Sequence, residues 1–100
     1  MRIMVTSSDG IATDRIRAYI EYRVFKSAAR YGAIIRTIHV EFSRDGRDRD
    51  GVVCTVLIDL VPSGQVKAQS RAPHPIAAID RVCDRAGRLL SQRETQSVSS

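Results

Sequence analysis

The order in which helical and strand periodicities follow one another is the feature that most constrains the fold of this chain. One segment with apolar residues at helical steps of three and four comes early, three strand-like segments follow it, and a second helical segment comes last. A short apolar stretch precedes them all. The predicted elements are strand 2–6, helix 14–31, strands 34–43, 52–61 and 65–71, and helix 76–93.

This order predicts an α+β fold with the element order β-α-β-β-β-α. Short turns join the last three strands into an antiparallel meander, whereas the first helix is a crossover that places the first strand parallel to its neighbour. Segment 52–61 is apolar on both faces, which suits a central strand, and 65–71 has the polar face of an edge strand. Ile34 is expected to share the core face of its strand with Ile38. Because each helix has a single apolar stripe, we expect a four-stranded mixed sheet with both helices packed on one face.

Three local signals set the limits of the helices. Thr13 is expected to cap the first helix and Gly32 to end it. Pro73 to Pro75 breaks the chain and begins the second helix, within which Gly87 is expected to mark close packing on the sheet. A chain of 100 residues suits one domain, which we assign to 1–93, with a flexible polar tail over 94–100.

Composition excludes several classes of protein. No apolar run approaches the roughly 18 residues of a membrane span, and the first ten residues do not resemble a secretory signal. Cys54 and Cys83 lie in apolar runs without metal-ligand spacing, which predicts buried thiols in a reducing cytoplasm. The Asp-rich turn over 45–51 lacks the ligand pattern of a calcium loop. No catalytic motif is present, so we expect no enzyme, cofactor, metal site, membrane contact or small-molecule substrate.

The net charge of +5 favours a polyanionic partner. Of the sixteen basic residues only Lys26 and Lys67 are lysines, and the rest are arginines. Arginine binds phosphate in a planar fork and stacks on bases. An arginine-rich genome would give the same ratio, so the placement of the arginines decides between the two interpretations.

Helical wheels gather many of these cations on two narrow arcs. The first-helix ridge and the second-helix ridge lie beside the core stripes, and the acidic residues are displaced from them. Packed side by side, the two ridges are expected to form one basic surface that contacts several RNA phosphates. The alternative is a pair of solvated helix faces, with Asp80, Asp84 and Arg88, and likewise Arg17 and Glu21, forming ordinary helix pairs. The first-helix ridge comprises Arg15, Arg23, Lys26 and Arg30, and the second-helix ridge Arg81, Arg85 and Arg88.

Aromatic residues add little to this prediction. Tyr19 lies inside the first basic arc, where a role in the core is favoured over base stacking. Tyr22 and Phe25 lie off the apolar stripe and are expected to be partly exposed. Phe42 is the only aromatic residue in the predicted strands, too few for a base-stacking sheet.

Two motifs resemble the family of ribosome hibernation promoting factor and ribosome-associated inhibitor A, once labelled sigma modulation proteins. Its first helix often reads T-E-x-L-R-x-Y-V-x-x-K and its second A-A-I-D-x-x-x-D-K-L-x-R-Q-L. The resemblance spans about residues 2–93. The first pattern is met by Thr13, Asp14, Ile16, Arg17, Tyr19, Ile20 and Arg23, and the second by Ala77, Ala78, Ile79, Asp80, Asp84, Arg85, Arg88 and Leu90.

The resemblance implies a cytoplasmic protein that binds the small ribosomal subunit near the decoding region and silences translation under stress. It also implies that ribosomal RNA is contacted by the basic residues at the matching positions. The sequence departs from the family pattern at 73–76 and at Ala86 and Gly87. These departures leave open a different RNA target, and the oligomeric state is also left open. The matching positions are Arg23, Lys26, Arg85 and Arg88.

Two other functions remain open from the sequence. One is general binding of double-stranded RNA, since two helices on a small sheet resemble that architecture at the level of the fold. The other is a protein-interaction module that uses the sheet face opposite the helices. The residues expected on that face are Thr37, His39, Glu41, Thr55, Leu57, Lys67 and Gln69.

Overall fold

Four strands and two helices follow in the predicted order, which confirms the α+β fold. The structure, a computed structural model, describes residues 1–8, 10–47 and 51–99. A single 3₁₀ turn over Ala29–Tyr31 follows the first helix. The elements are β1 (Arg2–Ser7), α1 (Asp14–Ala28), β2 (Ile35–Arg44), β3 (Val52–Leu60), β4 (Gln65–Ala72) and α2 (Pro75–Ser99).

The strands form one mixed sheet in the order β1-β2-β3-β4. β1 pairs with β2 in parallel, as a helical crossover requires, and Ile3 lies beside Ile38. β2, β3 and β4 form the predicted antiparallel meander. β3 is therefore interior and β4 an edge strand, as their patterns of apolar residues predict.

The core lies between one face of this sheet and both helices. α1 contributes the buried residues Ile20, Val24 and Ala28 at helical spacing. Ile34 packs against the core as predicted but is only partly buried and precedes β2, because the register shifts between Ile35 and Thr37 and Ile35 takes the buried position. Fully buried side chains from the sheet and from α2 include Ile38, Val40, Phe42, Cys54, Ile58, Ile79, Val82 and Leu90.

The predicted helix signals are met in most respects. The Thr13 side chain accepts a hydrogen bond from the Ile16 amide at 3.4 Å and so caps α1. Gly32 closes the 3₁₀ turn with a right-handed φ of −56°, so it does not use the left-handed cap that glycine permits. The expectation of close packing at Gly87 is wrong, since a Cβ built there meets no neighbouring atom within 4 Å.

α2 continues past its predicted end at residue 93. Its first residue is Pro75, a helix position that needs no amide donor. The Ser70 hydroxyl is buried and donates to the Ala78 carbonyl at 2.6 Å, which joins α2 to β4. For the predicted polar tail, the side chains of residues 94–99 and the whole of residue 100 lie outside the described residues.

The second face of the sheet is covered by no described element. Its side chains form hydrogen bonds between neighbouring strands. Thr37 Oγ1 donates to Asp59 Oδ2 at 2.9 Å, and Gln69 Nε2 donates to Thr55 Oγ1 at 3.0 Å. The residues predicted to line this face do so, among them His39, which lies beside Thr6. Over the described residues, neither helix is long and apolar enough to cross a membrane.

Candidate nucleic-acid interface

The first-helix ridge keeps three of its four cations exposed. Among the described residues, no hydrogen bond or ion pair engages Arg15. Lys26 Nζ lies 5.9 Å from the centroid of the Tyr22 ring, and the Arg30 guanidinium carbon lies 5.3 Å from the centroid of the Tyr31 ring. A cation–π contact holds a cation without neutralising it. These three side chains therefore keep their charge for an anionic partner.

The fourth cation of this ridge, Arg23, is turned toward α2 and paired with acids. Its Nε donates to Asp80 Oδ1 at 3.2 Å and its Nη2 to Asp84 Oδ1 at 3.3 Å. The Tyr19 hydroxyl donates to the same Asp80 oxygen at 2.7 Å. These contacts form an interhelical cluster that joins α1 to α2 and consists of Tyr19, Arg23, Asp80 and Asp84. The charge of Arg23 is offset within this cluster.

Tyr19 serves the fold through both its ring and its hydroxyl. The half-buried ring packs against the core, as the favoured interpretation of the sequence has it. The hydrogen bond to Asp80 raises the pKa of Tyr19, and burial and the negative charge of Asp80 raise it further. The protonated phenol is the form that donates to Asp80, so the cluster holds Tyr19 neutral.

Two arginines of the second-helix ridge are fixed on the free edge of the sheet. Arg81 Nη1 donates to the Arg71 carbonyl at 2.7 Å, and Arg85 Nη1 donates to the Gln69 carbonyl. These carbonyls alternate along β4, an edge strand, and face away from β3. A backbone carbonyl is neutral, and guanidinium has five N–H donors. Arg81 and Arg85 are thus oriented by the fold while most of their donors and their whole charge stay free.

A groove about 390 Å³ in volume runs between β4 and α2 beside this ridge. Arg85 and Arg88 border it, and no acidic residue is among the described residues that line it. Arg88 is exposed and makes no hydrogen bond or ion pair with any described residue. The residues that line this edge groove are Lys67, Ala68, Gln69, Arg85, Arg88, Leu89 and Gln92.

The two ridges do not merge into the single basic surface that the wheels predict. The interhelical cluster lies between them and places two carboxylates at the middle of the helix pair. The helix pairs of the alternative interpretation are also absent among the described residues. Arg17 donates to the Val5 carbonyl on the other edge strand at 3.1 Å, and Asp84 faces Arg23 across the helices.

Sequence reasoning identified the exposed aromatic residues of α1 but gave them no role. The exposed fractions are 62% for Tyr22 and 57% for Phe25, so both rings face solvent. With Ala18 and Ala29 they form a stripe at steps of four, three and four, opposite the core stripe. This second periodicity is visible in the sequence. The edge groove, in contrast, depends on the packing of α2 beside β4 and has no signal in either segment alone.

Neither cysteine is arranged for chemistry. Burial, together with the smaller effect of the nearby Cys83, raises the pKa of Cys54 to about 12. Burial likewise raises the pKa of Cys83. Both thiols are buried, as predicted, and therefore protonated at neutral pH. The described residues contain no group of three potential metal ligands.

Comparison with protein families gives one match that covers nearly the whole chain. The model of the family described as Sigma 54 modulation protein / S30EA ribosomal protein matches residues 3–97. No curated protein matches the chain. The family match agrees with the resemblance carried by the motifs of the two helices.

Two solved structures share the fold. A ribosomal subunit interface protein from Coxiella burnetii is 17% identical with a TM-score of 0.83, and the alignment covers 95% of this chain and 99% of that one. The N-terminal domain of Protein Y from Thermus thermophilus is 23% identical with a TM-score of 0.70, and the alignment covers 91% and 93% of the two chains. At these identities the two structures establish the fold.

Proposed function

Because the chain belongs to the Sigma 54 modulation protein / S30EA ribosomal protein family, we propose that it is a ribosome-associated factor that binds RNA of the small subunit. One of the similar structures is described as a ribosomal subunit interface protein, which agrees with a partner of this kind. Bound there, the protein inhibits translation by occupying RNA that messenger and transfer RNA would otherwise use. The proposed activity is binding, and it contains no chemical step.

The observation that carries this proposal is the arrangement of the second-helix ridge along the free edge of β4. Arg81 and Arg85 are oriented by the carbonyls of β4, so they lose little side-chain freedom when they bind a phosphate. Arg88 adds a third charge on the same side of α2. Phosphate contacts of this kind provide affinity and orientation and carry no base specificity.

The exposed cations of the first-helix ridge form the second part of the proposed surface. Arg15 and Lys26 on α1 and Arg30 in the 3₁₀ turn after it lie beyond the interhelical cluster, so an RNA that meets both ridges spans this cluster. Arg23 belongs to the predicted site by sequence, but its two carboxylate partners give it a structural role as well. We therefore assign phosphate binding mainly to the six remaining predicted residues.

Sedimentation with purified ribosomal subunits tests the partner. The protein is expected to co-sediment with small subunits at about 50 mM salt and to bind at least about 100-fold more weakly at about 200 mM, because several phosphate contacts release counterions. A protein that stays at the top of the gradient at low salt contradicts the proposal. Equal binding to large subunits contradicts the small-subunit assignment, and equal affinity for any RNA duplex indicates a general duplex binder.

Translation in a purified reaction tests the consequence of binding. Protein output should fall as the factor approaches the concentration of small subunits, and addition of messenger RNA should restore part of it by competition. Unchanged output with saturated subunits would show that binding occurs without inhibition.

A further inference from the structure

The exposed aromatic pair on α1 lies beside the cations of the first-helix ridge, and no described element covers it. Tyr22 and Phe25 are three residues apart, so their rings are neighbours on one helix face. Large aromatic side chains normally bury most of their surface, yet both rings are more than half exposed. The remainder of the stripe is alanine, so no other large side chain of the stripe shields the two rings.

We propose that Tyr22 and Phe25 stack on unpaired bases of the bound RNA, while Lys26 and Arg30 contact its backbone. This inference rests on the proposed function and deepens it, since it specifies single-stranded RNA at the α1 end of the interface. Every base has a π-face, so stacking on exposed rings needs no particular sequence. Single-stranded segments offer such faces, whereas a duplex hides them.

The surroundings of the rings favour RNA over a protein partner. A depression of about 540 Å³, large enough for a nucleobase, is lined by Tyr19, Tyr22, Arg23, Lys26 and Ser27. Lys26 Nζ lies 5.9 Å from the Tyr22 ring centroid, so a cation lies next to the base position. Lysine is depleted from the cores of protein interfaces. Two aromatic rings also supply far less surface than a protein–protein interface normally buries.

The distribution of charge around α1 also gives the bound strand a direction of approach. Lys26 and Arg30 lie on the side of the rings that faces α2, and Arg15 continues the same arc. Glu21 and Asp14 lie on the opposite flank, by the spacing of an α-helix. The phosphates are therefore attracted to the α2 side and repelled from the other, and the bases point toward the rings.

The experiment measures fluorescence anisotropy of a labelled uridine-rich oligoribonucleotide with the full chain, beside sedimentation with small subunits. The double variant Tyr22→Ala/Phe25→Ala is expected to bind the oligonucleotide roughly 5- to 150-fold more weakly. Its salt dependence should be unchanged, because no cation is lost. Lys26→Ala should instead reduce the slope of log affinity against log salt by about 0.7.

Two matched controls separate stacking from apolar contact and from misfolding. Tyr22→Phe keeps the ring and should bind within about twofold of the unaltered chain, and Tyr22→Leu/Phe25→Leu keeps apolar area and should be as weak as the alanine pair. Normal binding by the leucine pair, or unchanged binding by the alanine pair, overturns the inference. Loss of subunit binding with unchanged oligonucleotide binding shows a protein contact and also overturns it. Failure of the unaltered chain to bind small subunits refutes the proposed function instead.

Discussion

The two helices hold similar numbers of cations but use them differently. On α1, Arg23 is neutralised by Asp80 and Asp84 of the other helix, whereas its neighbours rest on tyrosine rings or face solvent. On α2, the guanidinium groups of Arg81 and Arg85 donate to edge carbonyls and keep their charge. The difference shows that an arginine on a basic ridge can hold the fold together, bind a partner, or do both.

The edge carbonyls explain part of the arginine excess in physical terms. An exposed edge strand offers unpaired hydrogen-bonding groups that invite pairing with another chain. Arg17 engages the carbonyl of Val5 on β1, and Arg81 and Arg85 engage carbonyls on β4. Both edges of the sheet thus carry arginines from the helices above them. Lysine is a poorer substitute, since it lacks the planar fork.

The largest expected effect comes from reversing charge on α2. Arg85→Glu/Arg88→Glu should weaken binding to small subunits by about 100-fold and reduce the salt slope, because it places two negative charges at the edge groove. Lys26→Glu/Arg30→Glu on the first-helix ridge should have a smaller effect, because those cations are less firmly oriented. Sedimentation across a salt series measures both. If the α1 pair costs more than the α2 pair, the distinction between the two ridges is wrong.

A matched control for these reversals lies on the sheet rather than on the helices. Arg2→Glu/Arg36→Glu makes the same change in net charge at two exposed positions on β1 and β2, which belong to neither ridge. It should weaken binding by less than about fivefold, since distant exposed charges are screened at ordinary salt. Thermal unfolding of all three variants should stay close to that of the unaltered chain. All the altered side chains are exposed, and in the described part of the chain only Arg85 among them donates a hydrogen bond to the backbone.

The next effect concerns stability and tests the interhelical cluster. Asp80→Ala should lower the free energy of unfolding by about 1 to 2 kcal/mol, because Tyr19 and Arg23 both lose their shared acceptor. Asp84→Ala is the matched control on the same helix. The Asp84 side chain is 71% exposed, so its loss should cost less than about 0.5 kcal/mol.

Urea unfolding measures this difference, and subunit binding gives a second result. Asp80→Ala removes one of the two carboxylates that pair with Arg23, and with it a negative charge between the ridges, so affinity at low salt should rise. Equal destabilisation by the two alanine variants would mean that the cluster contributes only through surface charge. Weaker binding by a folded Asp80→Ala variant would mean that Arg23 must be held by Asp80 to bind RNA.

Much of the fold follows from the sequence because its signals are local. The helical spacing of α1, the cap at Thr13 and the turns between strands are each read within a few residues, and together they fix the order and the sheet. The burial of Ile35 is not predicted from the sequence, because a register shift in the β2–β3 pair turns its side chain to the core face of the sheet. A strict alternation cannot show where one residue is added.

The candidate site is less predictable, because its decisive contacts join distant segments. A wheel drawn on α1 places Arg23 among solvated cations, but its partner Asp80 lies on α2 and becomes adjacent only after packing. The carbonyls that orient Arg81 and Arg85 are backbone groups, which no side-chain pattern reveals. The wheel does correctly place Arg15 and Arg88 in solvent, since neither needs a tertiary partner.

A smaller effect is expected where the two helices pack loosely. Gly87 lies in the middle of α2 beside a cavity of about 20 Å³ that Val24 and Ala28 also line. A Cβ at Gly87 meets nothing within 4 Å, so Gly87→Ala should raise the free energy of unfolding by about 0.5 to 1 kcal/mol through helix propensity. Urea unfolding measures this gain. Destabilisation would mean that this part of α2 packs more closely than the described contacts indicate, and subunit binding should be unchanged.

The smallest expected effect is a pH dependence of the free energy of unfolding that comes from Tyr19 on α1. The hydrogen bond to Asp80, then burial, raise the pKa of Tyr19 above its ordinary value of 10.0. A group whose folded pKa is raised stabilises the fold below its unfolded pKa, and that stabilisation is lost as the pH rises through the folded pKa. The unfolding free energy should therefore fall above about pH 10 more steeply in the unaltered chain than in Tyr19→Phe. Absorbance of tyrosinate should show one of the three tyrosines ionising late, and that late ionisation should vanish in Tyr19→Phe. A late component that persists in this variant would place the shifted tyrosine elsewhere and remove Tyr19 from the interhelical cluster.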